Sequence, residues 1–464
     1  MNTDRKRPDS ARGAWLCPER LIWLLLILLL IERLLIFRQL GPWYNSGSDD
    51  INYMAGGIRF AQTGMICYGG DTPTALIMPG MPIVIGLVCR IVGEGEALWV
   101  SMRVLWCLLG VLTAWYAWRC AKLCSNGWGG LAAALGFAIP NMAWMNHVIL
   151  TETPYILFST MCLFYTFAMD RSEDRRWFVG YVGSILGALA FRSNALLLLA
   201  LTGAFLLWRK WKSLSSLLRR AGILACAVLL LLVPWTLRNY LQFGLFLPLT
   251  YGAGQPKLQG TYQGEGFPLD EELDYETHVH QVMLRDYAEY YRDDPVPREN
   301  ESAYAMHYDP AGEVRDLKFA QYLSMQADGV KADYRLREWW SRDPASLLKS
   351  YLIIKPRWLL NWAWAWEQVL HTPYPVLHRL SQINMIFCAF TVLLALVRKQ
   401  GRAPVLFLSG MYVILVYLYA SSFVTDRYAS SLMNIRYILA GIGVALLVDT
   451  LGDFFRSQAR RKKL

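Results

Sequence analysis

Long apolar runs recur along the chain, at 21–40, 97–118, 128–146, 152–169, 177–191, 194–208, 221–238, 376–397, 404–422 and 435–452. A helix needs about 20 mostly apolar residues to cross the hydrocarbon of a bilayer. Within lipid, every backbone amide and carbonyl must find its partner inside the protein. The runs therefore predict an all-α polytopic membrane protein with about ten transmembrane helices, in a range of nine to thirteen. Composition agrees: 55% of residues are hydrophobic, with 19 Trp, 25 Tyr and 19 Phe, too apolar for a soluble chain of this length. The runs 177–191 and 194–208 are the shortest and predict a bent hairpin whose tip holds Phe191, Arg192, Ser193 and Asn194.

The net charge of +10 would suit nucleic acid, but its distribution argues otherwise. Residues 241–350 hold 11 Lys/Arg and 19 Asp/Glu, a net of −8, which leaves +18 for the rest. That excess lies in short segments between apolar runs, at 119–122, 171–176, 209–220, 398–402 and 456–463. Basic loops mark the cytoplasmic side. With all of them inside, both termini are expected in the cytoplasm of a multi-pass plasma (inner) membrane protein. The N-terminus has Arg5, Lys6 and Arg7 before the apolar run, without a small-residue cleavage site, and reads as an uncleaved anchor. The nine cysteines, most of them in apolar runs, read as small core residues.

The run 75–92 would upset this count if it spanned. It carries Pro79, Gly80, Pro82 and Gly86, so it reads as a re-entrant or juxtamembrane segment covered by protein. Three regions follow: an N-terminal transmembrane module over 1–250 with a first outer loop at 41–96, a large extracytoplasmic loop at 251–375, and C-terminal transmembrane helices at 376–464. The large loop ends in an amphipathic, Trp-rich stretch at 347–368, either an interfacial aromatic belt or a surface helix framing a lipid-facing cleft.

On this topology, acids and arginines converge on the extracytoplasmic face. Asp49 and Asp50 sit side by side just beyond the first run. Adjacent like charges cost energy at a low-dielectric boundary. Such a pair reads as working on a proton, a metal or a sugar; the alternative is a solvated loop cap. Glu152 opens a helix after Thr151, where a carboxylate also suits the helix dipole. The cations are Arg192, Arg238, Lys355, Arg357, Arg427 and Arg436. Guanidinium groups at a membrane surface suit phosphate; lipid-headgroup snorkelling is the alternative. Tyr53 lies one helical turn past Asp49, placed to brace that carboxylate or meet a phosphate. His147 reads as a substrate contact or an interfacial histidine. His278 and His280, with Asp274, lack a third strong metal ligand by spacing. There is no Walker motif and no nucleophile elbow. That argues against ATP-driven pumping and nucleotide-sugar donors. The set suits glycosyl transfer from a lipid-phosphate sugar, a base activating the acceptor and cations stabilising the departing phosphate.

These residues resemble the GT-C glycosyltransferases, in the branch of protein O-mannosyltransferases and lipid A aminoarabinose transferases. Asp49, Asp50, Tyr53, Ala55, Gly64, Pro79 and Pro82 match the first-loop pattern, and Glu152 the later acidic helix start. Phe191–Asn194 resembles a Leu-Thr-Arg-Pro motif with Ser193 in place of Pro. Pro234, Trp235, Arg238, Asn239 and Gly244 resemble a third element. Arg436 and Tyr437 resemble an Arg-Tyr motif opening the last helix, without its following Pro. The resemblance spans 1–250 well and 345–440 loosely. It implies a polyprenyl-phosphate sugar donor, inverting transfer outside the cytoplasm, and a first-loop acid as base. Carried over, it makes Asp49, Asp50 and Glu152 catalytic. It makes Tyr53, Arg192, Arg238, Asn239, Arg436 and Tyr437 substrate-binding; His147, Lys355 and Arg357 join them as candidates on position and charge. Divalent-cation dependence varies by branch; Asp49, Asp50 and Glu152 are the acids available to one. The partners expected are the lipid-linked sugar, membrane lipids and an acceptor glycan, lipid or protein, with no nucleic acid. Two other classes compete: a flippase or transporter of lipid-linked saccharide, and an O-antigen polymerase or ligase. A flippase should line a central path with mid-helix charges, yet only Glu32 and Arg33 lie clearly within a span.

Overall fold

The computed structural model describes residues 17–292, 314–361, 368–398 and 401–461. All ten apolar runs are helical among them. The first, α1 (Pro18–Leu40), begins on a proline that needs no amide partner there and ends at Gly41, whose φ is +79°. Six of its large apolar side chains (Leu24, Ile27, Leu28, Ile31, Leu34 and Leu35) are exposed on the outside of the bundle, as lipid contact requires.

The first loop folds into two helices, α2 (Asp49–Thr63) and α3 (Gly80–Val92). At 13 residues, α3 is too short to span, in keeping with the juxtamembrane reading. The pair is held close by glycine. A Cβ on Gly57 would fall 2.3 Å from the Ile85 side chain, and one on Gly86 would fall 2.9 Å from the Gly57 carbonyl oxygen. Any side chain at either position would push the two helices apart.

Next come α4 (Glu96–Cys124), α5 (Gly127–Leu135), α6 (Pro140–Met145), α7 (Glu152–Arg171), α8 (Arg175–Phe191), α9 (Ala195–Lys210) and α10 (Leu214–Phe243). Asn126 caps α5, its side chain accepting from the Gly129 amide. The run 128–146 is not one helix: Pro140 cannot continue α5, so α6 restarts there after a short 3-10 turn. As the two short runs predict, α8 and α9 form a hairpin that turns at Arg192–Asn194.

The outer region holds α11 (Gly254–Gly260), α12 (Tyr275–Tyr287), α13 (Ala320–Arg342), α14 (Pro344–Lys349) and α15 (Lys355–Asn361). It has a small core of its own around Val279, Met283, Val314 and Leu323. Of the Trp-rich stretch at 347–368, residues 362–367 lie outside the described residues. The chain returns through α16 (Tyr374–Arg398) and α17 (Arg402–Ala420), crosses the short α18 (Asp426–Ser430), and ends in α19 (Met433–Arg461). α5 and α19 approach backbone to backbone: a Cβ on Gly441 would lie 2.3 Å from the Gly129 carbonyl oxygen, the small-residue packing that serves membrane helices.

Among the described residues, five helical stretches can cross a membrane by length and composition: Glu96–Cys124, Ala195–Phe243 (shared by α9 and α10), Tyr374–Arg398, Arg402–Ala420 and Met433–Gln458. The main core runs between the helices of this bundle. No strand occurs among the described residues; pairing there is limited to two isolated bridges.

Candidate active site

The two first-loop acids part company at once. Asp50 is fully buried, and its carboxylate accepts the backbone amides of Ser46 (2.6 Å), Ser48 (3.1 Å) and Ile51 (3.1 Å). It ties the approach to α2 and satisfies amides that the helix start leaves free. One residue earlier is about 100° around the helix, so Asp49 points elsewhere, with 37% of its side chain exposed. Its Oδ1 accepts the Tyr68 hydroxyl at 2.6 Å, and its Oδ2 accepts Nη1 of Arg427 at 2.6 Å.

Arg427 is the junction of the site. It stands on α18, opened by Asp426, whose Oδ1 accepts the Arg427 amide at 3.0 Å. Its Nε donates to Glu152 Oε1 at 2.7 Å and its Nη2 reaches Oε2 at 3.3 Å. Glu152, fully buried at the start of α7, also accepts Nη1 of Arg192 at 2.8 Å. Arg192, at the turn between α8 and α9, lies beside the rings of Tyr155 and Tyr428. Four charges thus alternate in a line: Asp49, Arg427, Glu152, Arg192. They come from four separate parts of the chain, and Asp49 and Arg427 stand 378 residues apart.

Burial opposes the charge on Arg427, but Glu152 and Asp49 outweigh it and hold the guanidinium well above its usual range. Burial, then the Asp49 carboxylate, push the Tyr68 hydroxyl up, so it remains a donor. Tyr53 is buried against Tyr68, ring edge to face at 5.3 Å, and burial raises its hydroxyl as well.

Several residues expected at the site lie elsewhere. Asp50 serves the backbone rather than the cleft. His147 is fully buried, its Nδ1 3.4 Å from Arg103, which also donates to the carbonyls of Gly41 and Pro42. Arg238 reaches the carbonyls of Thr74 (2.7 Å) and Ile66 (3.2 Å), and Asn239 donates to that of Leu247 (2.8 Å). Both stitch loops together. Arg436 is buried on Asn384 and Ser381, and Tyr437 packs against Phe137. Lys355 donates to the carbonyls of Gly260 (3.0 Å) and Ser422. Arg357 is exposed. In each buried case an apolar interior leaves the polar head no choice but a nearby acceptor.

A three-acid cation site does not fit. Asp50 is spent on backbone amides, and the Arg427 guanidinium fills the space between Asp49 and Glu152. His278 faces Arg337 at 3.0 Å. Sequence reasoning missed Tyr68 and did not single out Arg427. Arg427 stood among the outer cations but matched no motif, and Tyr68 sits in an irregular Cys-Tyr-Gly-Gly turn with no periodic signal.

Residues 71–237 match the family described as dolichyl-phosphate-mannose-protein mannosyltransferase; the match includes Glu152 and Arg192. The archaeal oligosaccharyltransferase AglB from Archaeoglobus fulgidus, solved with an inhibitory peptide and a dolichol-phosphate, shares the fold at a TM-score of 0.52 and 10% identity. The alignment covers 96% of this chain and 52% of AglB, so the chain spans about half of that protein. ArnT from Cupriavidus metallidurans, solved with undecaprenyl phosphate, aligns over 94% of this chain and 78% of its own, at 15% identity and a TM-score of 0.40. No curated protein sequence matches the chain.

Proposed function

We propose that the protein transfers a sugar from a polyprenyl-phosphate donor to an acceptor hydroxyl at the extracytoplasmic face, in one inverting displacement with Asp49 as general base. The observation that carries this is Asp49 itself. It is a partly exposed carboxylate, oriented by Tyr68 and Arg427, at the open end of a line of charges that runs into the protein. In the reaction the acceptor oxygen attacks the anomeric carbon and its proton passes to Asp49. The bond from that carbon to the phosphate oxygen breaks, and polyprenyl phosphate leaves with the electron pair. Arg427, and Arg192 behind Glu152, supply positive charge where the phosphate gains negative charge. The family match and the dolichol-phosphate solved with AglB agree with such a donor. The acceptor is a glycan, lipid or protein that carries this hydroxyl.

The transport reading has less support. The mid-helix Arg33 is fully buried and held by the side chain of Asn146 and the carbonyls of Leu29 and Phe137. It braces α1 against its neighbours and is not available to a moving substrate.

The test is Asp49→Asn in purified, reconstituted protein given a polyprenyl-phosphate sugar. A positioned base is worth about 10²–10⁴ in rate, so release of polyprenyl phosphate should fall at least about a hundredfold while the fold persists. Near-normal transfer would remove Asp49 from the chemistry.

A further inference from the structure

The line of charges leaves the base occupied. Asp49 has one oxygen on the Tyr68 hydroxyl and the other on Arg427, each at 2.6 Å. Each oxygen is thus engaged by a donor before any substrate arrives. Arg427 is equally committed: Nε and Nη2 go to Glu152 and Nη1 to Asp49. For a phosphate to gain this guanidinium, one of those contacts must yield. The two are unequal. Glu152 is gripped through two nitrogens and is fully buried, whereas Asp49 is gripped through one and is 37% exposed. The Asp49 contact is the weaker one, and it lies at the exposed end of the line.

We propose that Arg427 is a positioning residue that holds Asp49 in reserve, and that the donor's phosphate, by taking over Nη1, releases the carboxylate to act as base. This rests on the transfer reaction proposed above and adds an order to it. The donor binds first and arms the base; the acceptor follows. The phosphate carries negative charge, so it replaces Asp49 on Arg427 without leaving the cation unpaired. Tyr68 keeps its hydrogen bond and holds the freed carboxylate in place. No covalent step is involved until the acceptor arrives.

Competition for one guanidinium is measurable without turnover. The probe is undecaprenyl phosphate, titrated into the full chain in lipid nanodiscs. With Asp49→Asn the competitor is gone, and affinity should rise about fivefold or more, the usual lower bound for coupled sites. Loss of simple repulsion between Asp49 and the phosphate would also raise affinity, so the second arm repeats the substitution in an Arg427→Gln background. If the two groups compete for Arg427, the gain should vanish there. A gain of the same size in both backgrounds, or none in the first, overturns the proposal. Should Arg427→Gln fail to fold, Arg427→Lys serves. It keeps a charge beside Glu152 but lacks the fork that spans both carboxylates, so the gain should shrink. In wild-type kinetics the donor should be the obligatory first substrate; random order counts against the scheme. The base assignment is judged apart, by the transfer rate of Asp49→Asn, so either idea can fail alone.

Discussion

Replacing Glu152 with glutamine keeps the shape of the side chain and removes one negative charge from the middle of the line. In the wild type that carboxylate accepts from Arg192 at 2.8 Å and from Arg427 at 2.7 and 3.3 Å, with none of it exposed. Both arginines are also well buried, at 15% and 14% side-chain exposure, so solvent screens the loss little. Breaking a buried pair by deleting one partner costs about 3–5 kcal/mol. The glutamine oxygen can still accept from Arg192 and from Nε of Arg427, but its amide would face Nη2 as donor against donor. The expected cost is therefore near the lower bound, about 3 kcal/mol. Denaturant titration in mixed micelles would read it. The double variant Glu152→Gln with Arg192→Gln removes a cation as well and leaves Asp49 and Arg427 as a balanced pair. It should be more stable than the sum of the single losses implies, with a coupling of about 0.5–3 kcal/mol. Wild-type stability in Glu152→Gln, or strict additivity in the pair, would refute the alternating line as a stabilising unit.

Arg238→Ala should free the Thr74 and Ile66 carbonyls and speed protease cleavage within 65–79, at a cost of about 2 kcal/mol, while undecaprenyl phosphate affinity changes far less than in Arg427→Gln. Burial pushes the Lys355 amine down from 10.5 to about 7. Between those values the unfolded chain binds the extra proton, so this residue makes stability rise with pH from about 7 towards 10.5. Lys355→Met should flatten that part of the melting-temperature profile, and an unchanged slope would contradict the shift. Reporters fused at Gly254 or Asp328 should read extracytoplasmic and one at Ser215 cytoplasmic; a cytoplasmic reading at Asp328 would overturn the assumed sidedness.

The fold was legible because the membrane makes it so. Apolar length and the paired basic loops predict the helices, and Pro79, Pro82 and Gly86 mark α3 as a segment that does not span. The break at Pro140 was there to see, but 128–146 has enough apolar length to read as one crossing. At the site, sequence brought Asp49, Glu152 and Arg192 to one face. It could not say that Asp50 turns inward, since that depends on where the amides of Ser46 and Ser48 lie. Nor could it join Arg427 to Asp49: a contact across most of the chain leaves no local pattern. Arg238, Lys355 and Arg436 look like phosphate ligands in a one-dimensional reading, because an arginine or lysine near a membrane surface has the same signature whether it meets a ligand or a carbonyl.

The Lys355 anchor has a consequence for anyone recombining such proteins. Its amine joins the carbonyl of Gly260, in the outer region, to that of Ser422, four residues before α18. Gly260 sits so close that a Cβ there would fall 2.3 Å from the Ser422 oxygen. The outer region is therefore not a detachable cassette. A chimera that imports a foreign loop with any larger residue at the position of Gly260 would press on the segment that carries Arg427. It should lose activity even with every charged residue of the cleft intact, and restoring that glycine should recover it.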